Sequence, residues 1–212
     1  MKVKNMKKIV FAILCMMPFK TMAQDNTWER IEIEETDETK VNPDLKYLEG
    51  AVPMVNGKVE FSTVIKAPGK NKEQIYDITK KYLTKMTTEP NQTEFSRVVI
   101  DNPEKGELCG AFQEWLVFKS TSLSLDRTRF FFNLVAECKN GELELRMIRI
   151  HYLYEEERDP QTYKAEEWIT DEYALNKKKD KLLRISGKFR RKTIDRKDFI
   201  FNKFDNLLNS NK

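Results

Sequence analysis

Apolar and polar positions repeat with two distinct periods along this chain. Val59, Phe61, Thr63 and Ile65 alternate with Lys58, Glu60, Ser62 and Val64, which predicts a half-buried strand entered through an Asn56-Gly57 turn. The period then lengthens. Ile75, Ile78, Tyr82, Leu83 and Met86 fall on one helical face behind Asn71, with Gln74 three residues on completing a capping-box pattern. Strand-like runs return at about Glu94 to Ile100, Glu107 to Lys119, Leu125 to Cys138 and Leu143 to Tyr154. The segments between them carry turn chemistry: Asn102-Pro103-Glu104-Lys105-Gly106, Thr121 to Ser124, and Asn140-Gly141. A last helix is predicted from about Asp195 to Leu208, burying Phe201, Phe204, Leu207 and Leu208 behind Thr193 or Asp195 as cap. The predicted class is α+β, ordered β-α-β-β-β-β-α.

Hydrophobic parity sets an expected register for the longest hairpin. Pairing residues whose numbers sum to about 247 puts Cys109, Ala111, Gln113, Trp115 and Val117 opposite Cys138, Ala136, Leu134, Phe132 and Phe130, a nearly apolar face. Cys109 and Cys138 then stand opposite one another, either as a cross-strand disulfide or as two buried thiols. In the following strand the apolar phase switches to Ile148, Ile150 and Tyr152, which calls for a β-bulge near Met147 or Ile148. The other face of the hairpin, with Leu108, Phe112, Leu116, Phe118, Phe131 and Val135 among Glu114, Arg127, Arg129 and Asn133, also carries apolar side chains. The segment from Asp159 to Lys192, with Trp168 and other aromatics, is the nearest candidate to cover it. Where it does not, Phe112, Phe131, Arg127, Arg129 and Trp168 form the candidate binding surface.

Charge changes the picture only once the N-terminus is read. Residues 1–23 combine Lys2, Lys4, Lys7 and Lys8, an apolar run from Ile9 to Phe19, and Thr21-Met22-Ala23, the pattern of a cleaved signal peptide too short to span a bilayer. The full chain of 212 residues has 38 Lys+Arg and 34 Asp+Glu. Cleavage after Ala23 removes five Lys and no acid, leaving 33 basic and 34 acidic residues, so the apparent basic excess resides in the leader. Charge therefore gives no support to nucleic-acid binding. Residues 24–50 form an acidic arm, 51–156 the predicted core, 157–192 an irregular or partly helical extension, and 193–212 the helix that completes the core. Eleven Lys/Arg lie between residues 177 and 197. Lys188, Arg190, Arg191 and Lys192 are its candidate contacts to an anionic partner, against the alternative that the block pairs with the acidic arm or packs on the sheet.

The stretch Gly50-Ala51-Val52-Pro53-Met54-Val55-Asn56-Gly57-Lys58-Val59-Glu60-Phe61, followed by Pro68-Gly69-Lys70 and Ile75-Tyr76, resembles a family of exported bacterial domains of unknown function with a TATA-binding-protein-like (TBP-like) fold. The resemblance covers roughly residues 52–145. It implies a curved antiparallel sheet with two helices on one face and carries over no catalytic residue. Fold does not fix function, so the fold name is no argument for DNA binding.

The candidate chemistry is sparse. His151 is the sole imidazole, Glu155-Glu156-Glu157 lacks calcium-loop spacing, and Glu166-Glu167 beside Trp168 lacks an assigned second carboxylate for glycoside chemistry. No catalytic, cofactor-binding or metal-ligating set is assigned. The expectation is an exported, non-enzymatic binding module, periplasmic or extracellular or associated with the envelope, whose partner is an envelope protein, a lipid headgroup or a small ligand, with no transmembrane segment in the mature chain. The alternative is a hydrolase using carboxylates on the open sheet face.

Overall fold

The structure, a computed structural model, describes residues 42–121 and 124–210. The leader and most of the acidic arm lie outside the described residues. Among the described residues no helix is long and apolar enough to cross a membrane.

The chain enters through a 3-10 turn at Leu45–Tyr47 and a small hairpin, β1 (Met54–Val55) and β2 (Lys58–Val59). Asn56 and Gly57 both take positive φ, as a two-residue hairpin of this hand requires. Next come β3 (Phe61–Lys66) and α1 (Lys72–Met86), whose first turn has the capping box of Asn71 and Gln74. Four antiparallel strands follow: β4 (Arg97–Asn102), β5 (Glu107–Thr121), β6 (Ser124–Lys139) and β7 (Glu142–Tyr154). The chain ends with β8 (Gln161–Lys164), a 3-10 turn at Ala165–Glu167, a single turn α2 (Asp171–Ala174), and the long α3 (Ser186–Asn209). The main sheet runs β3-β7-β6-β5-β4, with β8 added to β7 beyond the end of β3. The architecture is α+β with a mostly antiparallel sheet, as the strand and helix periods predict.

Both long helices pack on one face of the sheet. Ile75, Leu83 and Met86 of α1 and Phe189, Ile200 and Phe204 of α3 are buried with Leu108, Phe112, Leu116, Phe130, Phe132 and Leu134. Tyr82 and Phe204 join the two helices edge to face with centroids 4.9 Å apart.

The register of the β5–β6 hairpin corrects the expectation. Cys109 pairs with Val135, not Cys138, a shift of three residues that exchanges the faces. Leu108, Phe112 and Leu116 therefore face the helices with Ala136, Phe132 and Thr128, while Ala111, Gln113, Trp115 and Val117 face away. The physical reason is Glu114. It lies on the core face, fully buried, because Arg196 of α3 donates to both its oxygens at 2.8 Å. A carboxylate that reads as surface is an interior group here, and parity reasoning that sends it outward reverses the strand.

The disulfide fails with the register. Cys138 points into the core and pairs with Leu143 of β7, whereas Cys109 lies on the opposite face, and both thiols are free. Burial pushes both thiols up, Cys138 to about 11, so neither is a ready nucleophile. The expected bulge is present one residue on. Between Asn133↔Ile148 and Phe131↔His151 the strand β7 carries an extra residue, and Arg149 there has φ of 56°. That extra residue moves the buried set from Leu143, Leu145 and Met147 to Ile150 and Tyr152.

The last helix also differs, beginning at Ser186. Thr193 and Asp195 sit inside it and cap nothing: the Thr193 hydroxyl meets Tyr152 Oη at 2.6 Å, and Asp195 accepts from Lys46 and Tyr47. The run 157–192 is correspondingly less irregular than expected, containing β8, α2 and the first turns of α3.

Candidate binding face

The face of the sheet opposite the helices is the candidate site, and alternation along each strand determines what it displays. Four cross-strand rows can be followed. They run Ile100, Cys109, Val135, Arg146 and Ser62; then Arg97, Ala111, Asn133 and Ile148; then Gln113, Phe131, His151 and Lys164; and last Trp115, Arg129, Leu153 and Thr162. Most are half-buried by one another, and Ile100 and Val64 are about half exposed. The face is thus a mosaic of apolar side chains crossed by arginines.

Two places on it are locally ordered. Phe131 and His151 stack nearly parallel at 4.4 Å, and His151 Nδ1 lies 3.0 Å from the Arg149 carbonyl. At the far end the guanidinium of Arg127 lies 3.8 Å from the centre of the Trp115 ring and that of Arg129 4.8 Å from it, a cation–π pairing of two arginines with one indole. Arg129 Nε donates to Glu156 at 2.8 Å and Arg127 to Glu157 at 3.2 Å. Trp115, Leu125, Arg127 and Leu153, with the acids Asp126, Glu155, Glu156 and Glu157 and the base Arg158, line a groove of about 430 Å³ between the start of β6 and the turn after β7, and Arg129 lies beside it against Trp115.

The expected surface residues divide between the two faces. Phe131, Arg127 and Arg129 lie on the uncovered face. Phe112 is buried among the helices, stacked on Phe132, because the true register turns it inward. Trp168 is also on the helix side, stacked on Tyr163 at 3.8 Å and edge-on to Phe189. Trp115 is the site residue that sequence reasoning missed. Its signal was the Arg127-x-Arg129 spacing, which places two guanidiniums on one face of the neighbouring strand.

Two side chains of the basic block, Arg190 and Arg196, are buried, and the rest are half-buried or exposed. Arg190 is fully buried and donates to the carbonyls of Tyr47, Leu48 and Ile169 and to Asp171, at 2.6 to 2.7 Å. It joins the lead-in, the segment around α2, and α3, and offers nothing to an external anion. Arg191 pairs with Asp44, Lys179 with Glu49, and Lys188 with Asp126. Residues 42–50 of the acidic arm are therefore bound to the basic block.

The remaining titratable candidates are structural in their contacts. Glu166 accepts the Val59 amide at 3.0 Å and fixes the 3-10 turn against β2, while Glu167 faces Lys164. No group of three or more His, Cys, Asp or Glu side chains is placed to hold a metal ion among the described residues.

The family model of a domain of unknown function, DUF4468, with TBP-like fold matches residues 61–153. A crystal structure of a DUF4468 family protein from Bacteroides ovatus is 42% identical, with a TM-score of 0.74, covering 80% of this chain and 96% of its own. The chain belongs to the DUF4468 family. A TBP-like protein from Parabacteroides distasonis, 19% identical with a TM-score of 0.61 over 76% of this chain and 99% of its own, shares the fold. No curated protein matches the chain. The matched DUF4468 segment runs from β3 to β7, so it contains Trp115, Arg127, Arg129 and Phe131 but none of the α3 residues that close the core.

Proposed function

We propose that this DUF4468 protein is an exported binding module, delivered to the periplasm or cell envelope by its leader, and that the helix-free sheet face receives its partner. The observation that carries the reading is the face itself. One side of a six-stranded sheet is filled by two helices, while the other displays Ile100, Ala111, Trp115, Phe131, Val135 and Ile148 with no described element across it. Apolar area of this kind on a sheet with polar margins is characteristic of an interaction surface. The titratable groups on and near it are engaged in ion pairs and ring stacking, an arrangement suited to recognition by shape and charge.

The test is crosslinking in living cells with a photoreactive residue at Ile148, and at exposed Lys81 of α1 as the control. Recovery of one recurrent envelope partner from position 148 but not from 81 supports the reading. A protein that crosslinks to nothing from either position yet turns over a substrate in a hydrolase panel sinks it.

A further inference from the structure

Within this binding face, and resting on that reading, we infer that the groove at Trp115 takes a short acidic peptide segment in extended conformation, its carboxylates displacing Glu157 from Arg127 and reaching the remaining donors of Arg129. Three features of the groove lead to this ligand. The first is which partner of the Arg127–Glu157 pair is fixed, since in the neighbouring pair Arg129 and Glu156 are both held, with side chains 21% and 33% exposed. Arg127 is held over the indole, its guanidinium carbon 3.8 Å from the ring centre and its side chain one-third exposed, whereas the Glu157 side chain is 83% exposed and contributes one contact at 3.2 Å. The loosely held partner is the one that exchanges, so the site exchanges anions.

The second is unused donor capacity. Each guanidinium has five N–H groups in a planar fork suited to a carboxylate, yet Arg127 and Arg129 each make a single hydrogen bond to their glutamate. A carboxylate approaching along the groove can be held bidentately, which neither internal glutamate achieves.

The third is the backbone beside them. The ladder of β6 with β7 ends at Thr128↔Tyr154, and Glu155, with φ of 54°, turns the chain away. β6 itself continues to Ser124, so along residues 124–127 the edge facing the groove has no strand partner among the described residues. An extended peptide occupying the line that β7 abandons gains main-chain hydrogen bonds from that edge and presents acidic side chains to the two arginines. The turn Glu155-Glu156-Glu157 acts as an internal stand-in for such a ligand.

Calorimetric titration of the mature chain with capped tetraglutamate, tetraglutamine and trigalacturonate tests the assignment. Tetraglutamate binds saturably and more weakly as salt rises, and tetraglutamine does not bind. Arg127→Gln and Arg129→Gln each weaken binding about tenfold, the loss expected for one charge-assisted hydrogen bond. Glu157→Gln tightens it about two- to fivefold by removing an exposed competitor, whereas Glu144→Gln, the same charge change elsewhere on the face, leaves it unaltered. Unchanged melting of the variants shows that they are folded. Absence of saturable binding, equal effects of Glu157→Gln and Glu144→Gln, or preference for trigalacturonate over tetraglutamate each overturns the acidic-peptide assignment. Crosslinking from Ile148 does not depend on the arginines, so a partner recovered there with no tetraglutamate binding removes this inference and leaves the binding module standing.

Discussion

Replacing Arg196 by Met probes the interior on which the sheet register depends. The side chains of Arg196 and Glu114 are both fully buried, and the guanidinium makes two 2.8 Å bonds to Glu114 and one of 2.8 Å to Glu89. Gln92 adds a further donor to the same carboxylate. The methionine fills much of the same volume but leaves the Glu114 carboxyl buried with its principal donors gone. Removing one member of such a pair costs about 3 to 5 kcal/mol, mostly from the charge left without compensation. With a urea dependence of about 2 kcal/mol per molar, the unfolding midpoint falls by roughly 1.5 to 2.5 M. The double variant Glu114→Met with Arg196→Met separates charge from packing. Replacing both partners with apolar groups of similar size is about neutral, so it recovers most of the loss. The measurement is equilibrium urea unfolding followed by circular dichroism. If Arg196→Met shifts the midpoint by less than about 0.5 M, or if the double variant is as unstable as the single, then the pair does not hold the strand in place.

Three other outcomes follow from the described contacts. Arg190→Met removes four hydrogen bonds at one buried node, so it destabilises by about 3 kcal/mol or more, and hydrogen exchange should accelerate first in residues 42–50 and 165–174. Cys109 and Cys138, on opposite faces, should both alkylate in urea without reductant and resist alkylation when folded; an intact mass showing a disulfide would overturn the register. The hydrogen bond from Lys80, then that from Tyr76, holds the Asp101 carboxyl below its ordinary range. A depressed carboxylate stabilises the fold above its unfolded value near pH 4, and that contribution disappears as pH falls through the folded value. Lys80→Ala should therefore narrow the stability difference between pH 6 and pH 3, as read from melting temperatures.

What could be read from the chain depended on how local the governing physics was. The helix at Lys72–Met86 was legible because its cap, its apolar face and its length all lie within residues 71–86. The bulge at Arg149 was legible too, since a change of parity within one strand leaves no other repair. The register of β5 was not, because both its faces are apolar enough to be core and the deciding group, Glu114, is neutralised by a residue 82 positions away. The same blindness shortened α3. Arg190 and Arg196 occupy buried helical positions, and a hydrophobic pattern counts them as surface. On the candidate face, Arg127, Arg129 and Phe131 follow from simple alternation. Phe112 and Trp168 required knowledge of which side the helices take.

Arg190 also makes the order of synthesis matter. Its acceptors at Tyr47 and Leu48 lie 143 and 142 residues earlier, and Arg196 closes on Glu114 across 82. Contacts of such span form late, after the long loops between them have been closed. While a ribosome is still making α3, Glu114 lacks its base and the entry segment lacks its clasp. Synthesis of α3 thus acts as a timer for completing the core. On the export reading, this delay keeps the chain pliable enough to thread a translocation channel before it locks.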